Sequence, residues 1–198
     1  MNKLVIPPFA VLFASLLTTS CTAPIESEEE DLAETEDAVL TSDFGDHYSI
    51  SSLRSGRCLD VAGGSTSSGA VVNQFRCHGG PNQGFRLESV DAWASHHRIK
   101  NQHSGLCLEV TAANGLRQVT CNSASNAQKF VLDYPFGSGA SMSYHIVRLK
   151  SYADTTKCLS VPNNTEVSGV QIQQATCGDS AGQRWLFQPR YDSTIGEN

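Results

Sequence analysis

Apolar residues in the chain occur in short segments, and clusters of Gly, Asn and Ser separate these segments from one another. The segments are rich in Val, Ile, Leu and Phe, which is typical of strands joined by turns, and no helical period runs through them. The pattern therefore predicts an all-β fold. The strand segments include Tyr48–Ser52, Arg57–Val61, Val71–Cys77, Gly84–Val90, His97–Asn101, Leu106–Val110, Gln118–Cys121 and Lys129–Asp133.

The segments belong to three copies of one unit. Each copy contains Cys-Leu-x-Val, a second cysteine and Gln-x-aromatic, and the copies begin at Cys58, Cys107 and Cys158. Four strands in each copy predict twelve strands. Because one copy built from hairpins cannot bury its own apolar face, we expect the three copies to share one core. The residues expected in this core are Leu59, Leu108, Leu159, Phe85, Phe130 and Trp185.

The spacing of the cysteines favours disulfides over a metal site. The sequence has no CxxC motif, so we expect neither a metal nor a cofactor. Sequence alone leaves the connectivity of six cysteines open, but repeat symmetry selects one pairing within each copy. The predicted disulfides are Cys58–Cys77, Cys107–Cys121 and Cys158–Cys177, which indicate a location outside a reducing cytosol.

The charge of the chain is divided unequally between its two parts. The formal net charge is -6, yet residues 1–43 hold nine acidic and one basic residue, leaving eleven acidic and thirteen basic residues in 44–198. The second part is therefore close to neutral and lacks a basic stripe interleaved with aromatic residues. We expect no nucleic-acid partner, because such binding needs a concentrated positive surface.

The front of the chain predicts export. Residues 1–23 form a signal peptide, with a basic start, an apolar run too short to span a bilayer and small residues after it. Cys21, the one cysteine left without a partner, resembles a bacterial lipobox cysteine and is the expected lipidation site. The alternative is ordinary secretory cleavage after Ala23, which would remove Cys21. Residues 24–43 form an acidic linker that repels itself and stays extended.

The Cys-Leu-x-Val and Gln-x-Trp/Phe units of the three copies resemble those of the ricin B-chain type lectins. The likeness covers residues 44–190, before a short tail at 191–198. It implies a β-trefoil with threefold pseudosymmetry. Members of this lectin family bind carbohydrate without catalysis. Family members lose sugar sites copy by copy, so each copy is considered separately.

The resemblance implies a sugar site in the first copy. There Asp60 would accept the hydroxyl pair of a pyranose, and the ring of Phe75 would stack on the sugar's C–H face. Asn82 would bridge to the same hydroxyls, while Asn73 and His78 would add polar contacts. Gln83 would orient Asp60 or its loop, and Phe85 would belong to the core.

The other two copies lack parts of this set. The second copy has Glu109, Val119 and Ala127 at the positions of the carboxylate, the ring and the amide, so its site is expected to be lost. The third copy has Ser160, Ala175 and Gly182 there, which removes all three groups.

The sequence thus predicts an exported, non-catalytic lectin with one sugar site, acting outside the cell or at its surface. Galactose-, xylan- and arabinan-type glycans remain open as ligands, and we expect a monomer that meets a membrane only through a lipid at Cys21. The alternative is a protein-binding or inhibitory β-trefoil, in which loops such as Tyr134–Ser143 contact a partner and the sugar site is vestigial.

Overall fold

A computed structural model describes residues 47–90, 96–135 and 146–190. The predictions for the signal peptide (1–23), Cys21, the acidic linker (24–43) and the tail (191–198) lie outside the described residues, as does most of the loop Tyr134–Ser143. In the described part of the chain, no helix is long and apolar enough to cross a bilayer.

The described residues form thirteen β-strands and five single-turn 3₁₀ segments without an α-helix, as the all-β prediction requires. The strands are β1 His47–Ser52, β2 Cys58–Val61, β3 Val72–Phe75, β4 Phe85–Ser89, β5 His97–Asn101, β6 Cys107–Val110, β7 Leu116–Val119, β8 Phe130–Asp133, β9 Ile146–Ser151, β10 Lys157–Ser160, β11 Val170–Gln171, β12 Gln173–Thr176 and β13 Trp185–Arg190. The 3₁₀ segments are Ala62–Gly64, Pro81–Gln83, Asn126–Gln128, Pro162–Asn164 and Ala181–Gln183.

Two details of the strand prediction were wrong. The third copy has five strands instead of four, because its third strand is interrupted at Ile172, whose backbone bonds to two different copies. The strand predicted at Gln118–Cys121 lies at Leu116–Val119 instead. It begins earlier because Leu116 is fully buried and opposes Val110 in the ladder with β6.

Six strands close into a barrel. β1 pairs with β13 over six residues, and the ring continues through β9, β8, β5 and β4 back to β1, with every neighbour antiparallel. Since β1 comes from the first copy and β13 from the third, the two ends of the repeat array are joined by this ladder. Closure also removes the exposed strand edges that favour aggregation.

Three hairpins, one from each copy, cover one end of the barrel. They are β2–β3, β6–β7 and β10–β12. Backbone hydrogen bonds join each hairpin to the next: Gln118 to Ala70, Leu116 to Ile172 and Ile172 to Val72. The three apolar side chains at this centre, Val72, Leu116 and Ile172, are fully buried, so the pseudo-threefold axis runs through packed core.

The shared core contains every residue predicted for it. Leu59, Leu108 and Leu159 are fully buried together with Phe85, Phe130 and Trp185. Trp185 also donates its indole N–H to the carbonyl of Leu159, which satisfies the one polar atom of the largest core side chain. The three disulfides selected by repeat symmetry are formed, between Cys58 and Cys77, Cys107 and Cys121, and Cys158 and Cys177.

A buried glutamine fastens each of two copies to the loop of a neighbour. The Gln74 amide donates to the carbonyls of Thr165 and Val167 from the third copy, and its oxygen accepts from the Ser55 hydroxyl. Gln118 repeats this arrangement with Ser65, Ser67 and Ser104. The equivalent Gln174 donates to the exposed side chain of Asn114 instead, because the second copy's loop is shorter.

Replacing Gln74 with Met is therefore expected to destabilise the domain by about 2 kcal/mol, since three polar groups lose their hydrogen-bond partner in the buried amide while the side-chain volume is kept. The matched control is Gln174→Met, which should cost less than about 0.5 kcal/mol. Urea unfolding measures both free energies. Equal costs at the two positions would show that the carbonyl contacts of Gln74 do not contribute to the joining of the copies.

Candidate functional site

An open cleft of about 320 Å³ lies on the first copy, at the end of the hairpin β2–β3. The residues that line it include five of the six predicted for a sugar site. They are Asp60, Asn73, Phe75, His78 and Asn82, together with Gly63 and Gly64. The sixth predicted residue, Gln83, contacts Asp60 from behind.

Asp60 is the centre of the cleft. It is the third residue of strand β2 and stands opposite Asn73 in β3, so the antiparallel pairing places both side chains on the same face. Oδ2 of Asp60 accepts hydrogen bonds from Gln83 Nε2 at 2.8 Å, Asn82 Nδ2 at 3.0 Å and His78 Nε2 at 3.3 Å. These three donors fix the carboxylate and compensate for its burial, since the residue is only 4% exposed.

The 3₁₀ turn Pro81–Gln83 presents two of these donors. Gln83 Nε2 also donates to the Arg76 carbonyl, and its oxygen accepts from the backbone N–H of His78. Asn82 Nδ2 also donates to the carbonyl of Val61. Asn82 thereby fastens the turn to strand β2, and Gln83 fastens it to the segment Arg76–His78 that follows β3.

His78 is held in one tautomer. The backbone N–H of Gly80 donates to Nδ1 at 3.1 Å, so the neutral ring carries its proton on Nε2. That proton is donated to Asp60 Oδ2. His78 is also in edge contact with the ring of Phe75, with centroids 6.4 Å apart.

Two acceptor oxygens of the cleft have no donor among the described residues. One is Oδ1 of Asp60, since all three donors reach Oδ2. The other is Oδ1 of Asn73, which is buried in a residue 8% exposed. A buried acceptor without a partner is costly, so a ligand that brings two hydrogen-bond donors would be stabilised here.

Phe75 supplies the apolar part of the cleft. It follows Asn73 by two positions on β3, and its residue is 41% exposed although the neighbouring positions of the strand are buried. An exposed ring beside two acceptors is the combination that matches a molecule with hydroxyls on one edge and C–H groups on one face. Among the described residues, no group of three or more His, Cys, Asp or Glu could hold a metal ion.

We call the position of Asp60 in the first copy, Glu109 in the second and Ser160 in the third the corner of each copy. In the second copy, side chains of the protein itself bond to the carboxylate at this corner. Glu109 stands opposite Arg117 in the β6–β7 ladder, and Arg117 donates to Glu109 Oε1 from Nη2 at 2.7 Å and from Nε at 3.2 Å. Gln128 donates to Oε2 at 3.1 Å. Both carboxylate oxygens are thus satisfied from within the chain.

The electrostatics of Glu109 follow from these contacts. Burial raises its pKa, but the hydrogen bonds from Arg117 and Gln128 and the charge of Arg117 outweigh burial and bring the pKa below its ordinary value. The carboxylate therefore stays ionised and paired with Arg117. The sequence had instead predicted loss of this site from the longer side chain and the missing ring.

The third copy is closed by a different side chain. Ser160 donates its hydroxyl to the Val161 carbonyl, and Asn164 accepts from the backbone N–H of Gly182 through Oδ1. Asn164 occupies the position that Gly64 has in the first copy, and both residues have a left-handed backbone, with φ of 52° and 62°. A Cβ on Gly64 would meet no atom within 4 Å, so this glycine leaves the cleft mouth open.

Three residues that determine which copies have an open cleft were not predicted from the sequence: Arg117, Asn164 and Gly64. Arg117 could have been found from the strand register, because it replaces Asn73 directly across from the carboxylate. Asn164 could have been found by aligning Ala62–Gly64 with Pro162–Asn164. Both residues lie between the repeated motifs, at positions that can be aligned across the copies.

Comparison with known proteins gives a consistent family match. A family model described as ricin-type beta-trefoil lectin domain-like matches residues 39–120 and 126–196. No curated protein sequence matches the chain.

Three solved structures with similar folds span different kinds of protein. The designed threefold symmetric protein ThreeFoil is 28% identical, with a TM-score of 0.63 and coverage of 73% of this chain and 99% of that one. The Macrolepiota procera ricin B-like lectin in complex with lactose is 18% identical, with a TM-score of 0.56 and coverage of 75% and 99%. An exo-beta-1,3-galactanase from Clostridium thermocellum is 22% identical with a TM-score of 0.63. Coverage is 76% of this chain, which spans 31% of the galactanase chain.

Replacing Arg117 with Met should destabilise the domain by about 1 kcal/mol at pH 7, because Glu109 keeps only its Gln128 partner. Since the folded-state pKa of Glu109 is lowered, this stabilisation is present above the unfolded pKa of about 4.3 and is lost as the pH falls through the folded value. Urea unfolding of the wild type and of Arg117→Met at pH 7 and near pH 3 measures the difference in their free energies of unfolding. A difference that stays the same at both pH values would contradict the assignment.

Proposed function

The chain belongs to the ricin-type β-trefoil lectin domain-like family, and on that premise we propose that it binds carbohydrate without catalysis through one site, the cleft of the first copy. The resemblance to ricin B-chain type lectins and the β-trefoil fold, both predicted from sequence, are confirmed by the family match and the similar structures. Membership of a lectin family supports carbohydrate binding in general.

The observation that carries the proposal is the pair of acceptors, Asp60 Oδ1 and Asn73 Oδ1, beside the exposed ring of Phe75. Vicinal hydroxyls of a pyranose bring two donors at a spacing that adjacent acceptors can use. The C–H face of the sugar covers the ring and removes apolar surface from water. The corners at Glu109 and Ser160 lack this combination.

The ligand class that we propose is a neutral glycan of the galactose, xylan or arabinan type. Asp60 would repel a carboxylate or sulfate, since its own charge lies in the cleft and the neighbouring donors all contact its Oδ2. A lactose complex of one structural relative supports the galactose type as the first sugar to test.

Affinity for a single sugar should be low. A monosaccharide of about twelve heavy atoms gains roughly 4 kcal/mol at ~0.3 kcal/mol per atom, which corresponds to a Kd near the millimolar range. Useful binding then requires several lectin domains bound to one polysaccharide, and display of many protein molecules at a surface would provide this.

Catalysis is not part of the proposal. Among the described residues that line the cleft, Asp60 is the one carboxylate, whereas hydrolysis of a glycosidic bond typically uses two that flank it. We therefore assign Asp60 the role of a fixed hydrogen-bond acceptor.

Export and a lipid tether at Cys21 are a further part of the proposal, supported by the signal-peptide pattern and the acidic run from Glu26 to Asp37. The acidic segment would act as a spacer that lets the lectin domains of neighbouring molecules reach separate sugars.

Replacing Asp60 with Asn is expected to weaken sugar binding by roughly 10- to 100-fold, the size of one lost charge-assisted hydrogen bond. The amide oxygen would face the three donors around Oδ2, so an NH₂ group would point into the cleft where the hydroxyl needs an acceptor. Calorimetric titration with lactose, xylobiose and arabinobiose, and a multivalent glycan array, measure the effect.

Two further variants sharpen this experiment. Gly64→Asn copies the third copy's Asn164 onto the same backbone conformation and should block the cleft, whereas Gly105→Asn introduces the same change at a left-handed position of the second copy. Only the first should lose binding. If all variants bind as the wild type does, the sugar site is vestigial and the protein-binding alternative is favoured.

For the tether, Cys21→Ser should move the mature protein from the membrane fraction to the soluble fraction, because the thioether carrying the lipid cannot form. Fractionation followed by immunoblotting measures this. Retention in the membrane fraction would mean that no lipid at residue 21 anchors the protein.

A further inference from the structure

We propose that Arg190, at the end of β13, is a positioning residue for the cleft of the first copy. It acts through the turn Gly79–Gly80, which lies between the cleft residues His78 and Asn82. The inference rests on the proposed function, since it concerns how the same site is kept ready for its ligand.

Arg190 holds this turn through two backbone carbonyls. Its Nη1 donates to the carbonyl of Gly80 at 3.0 Å, and its Nη2 donates to the carbonyl of Gly79. The Gly80 carbonyl also accepts from the backbone N–H of Gln83 at 3.0 Å, which closes the 3₁₀ turn. The planar fork of a guanidinium suits two adjacent carbonyls, and its charge strengthens both bonds.

The turn in its present position determines two of the donors around Asp60. Gly80 donates its N–H to His78 Nδ1 and thereby directs the Nε2 proton to Asp60. A Cβ on Gly80 would lie 2.7 Å from His78 Cε1 and 2.8 Å from Asn82 Oδ1, so the backbone of this turn is packed against both side chains. A shift of Gly80 would therefore displace both groups.

Gly84 leaves space beside the guanidinium of Arg190. A Cβ on Gly84 would lie 2.1 Å from Oε1 of Gln102 and 2.3 Å from Nη1 of Arg190, so a larger residue here would require the ends of both side chains to shift. The equivalent positions before the Gln-x-aromatic ring of the other copies carry Lys129 and Arg184. The copy with the open cleft is thus also the copy that has glycine at the position beside the guanidinium.

Without the guanidinium, the carbonyls of Gly79 and Gly80 would both lose a charged donor. Gly80 N–H would no longer be fixed against Nδ1 of His78, and the ring could carry its proton on either nitrogen. Asp60 Oδ2 would then lose one donor for part of the time, and Oδ1 would no longer be held toward the ligand. We therefore expect weaker sugar binding with the fold intact.

The test compares the wild type with Arg190→Ala, Arg190→Lys and the control Arg86→Ala, which removes an arginine that pairs with Glu88 on β4. Calorimetric titration uses lactose, xylobiose and arabinobiose. Arg190→Ala should weaken binding of the preferred sugar about tenfold, the loss expected for one weakened hydrogen bond, and Arg190→Lys should recover part of it. Arg86→Ala should bind as the wild type does.

A second readout follows the ring of His78 in the free protein. Two-bond ¹H–¹⁵N spectra, assigned by comparison with His78→Asn, should show the Nε2–H tautomer in the wild type and mixed tautomers in Arg190→Ala. A merely structural role of Arg190 would lower the melting temperature without altering this signal. If Arg190→Ala is too unstable to measure, a tautomer shift in Arg190→Lys serves the same purpose.

The outcomes separate the two proposals. An unchanged His78 tautomer overturns the positioning role, whether or not binding is lost. A changed tautomer with unaltered sugar affinity also overturns it, because the turn would then not matter for the ligand. A wild type that binds none of the three sugars contradicts the proposed function alone, while the tautomer comparison still decides the role of Arg190.

Discussion

One buried carboxylate constrains the whole site. Asp60 is almost inaccessible to water, so its charge is tolerable only with fixed donors, and three of them converge on Oδ2. Because they all use the same oxygen, the other remains an acceptor with a defined direction. The pairing of β2 with β3 sets Asn73 beside it, and the turn Pro81–Gln83 supplies two of the three donors, so the fold provides a preorganised acceptor pair.

The three copies share a frame and differ in what occupies one corner of it. In the second copy Arg117 satisfies the carboxylate from across the ladder, and in the third Asn164 bonds to Gly182. Only the first copy combines an acceptor pair with an open mouth at Gly64. The core and the disulfides are formed by all three copies, and the Gln of the Gln-x-aromatic motif donates to the carboxylate in both the first and the second copy. The threefold frame can therefore be kept while individual sites are filled.

The fold was largely predictable because its signals are repeated three times and are local. Cys-Leu-x-Val, the second cysteine and Gln-x-aromatic gave the core and the disulfide pairing, and the structure places five of the six predicted site residues around one cleft. Prediction was less accurate where long-range contacts decide. The strand at Leu116–Val119 is set by the threefold centre, and Arg190 reaches Gly80 from a strand that is 110 positions away in sequence. Such contacts leave no periodic pattern, so register and three-dimensional proximity were needed to find them.

The most direct test of a single open corner is the mapping of ¹H–¹⁵N chemical shifts during titration with lactose, xylobiose or arabinobiose. The account predicts concentration-dependent shifts in the backbone amides of Gly63 and Gly64 and in the side-chain amides of Asn73 and Asn82, with the amides around Glu109 and Ser160 unchanged. Saturating shifts around Glu109 or Ser160, with the first copy unaffected, would contradict it.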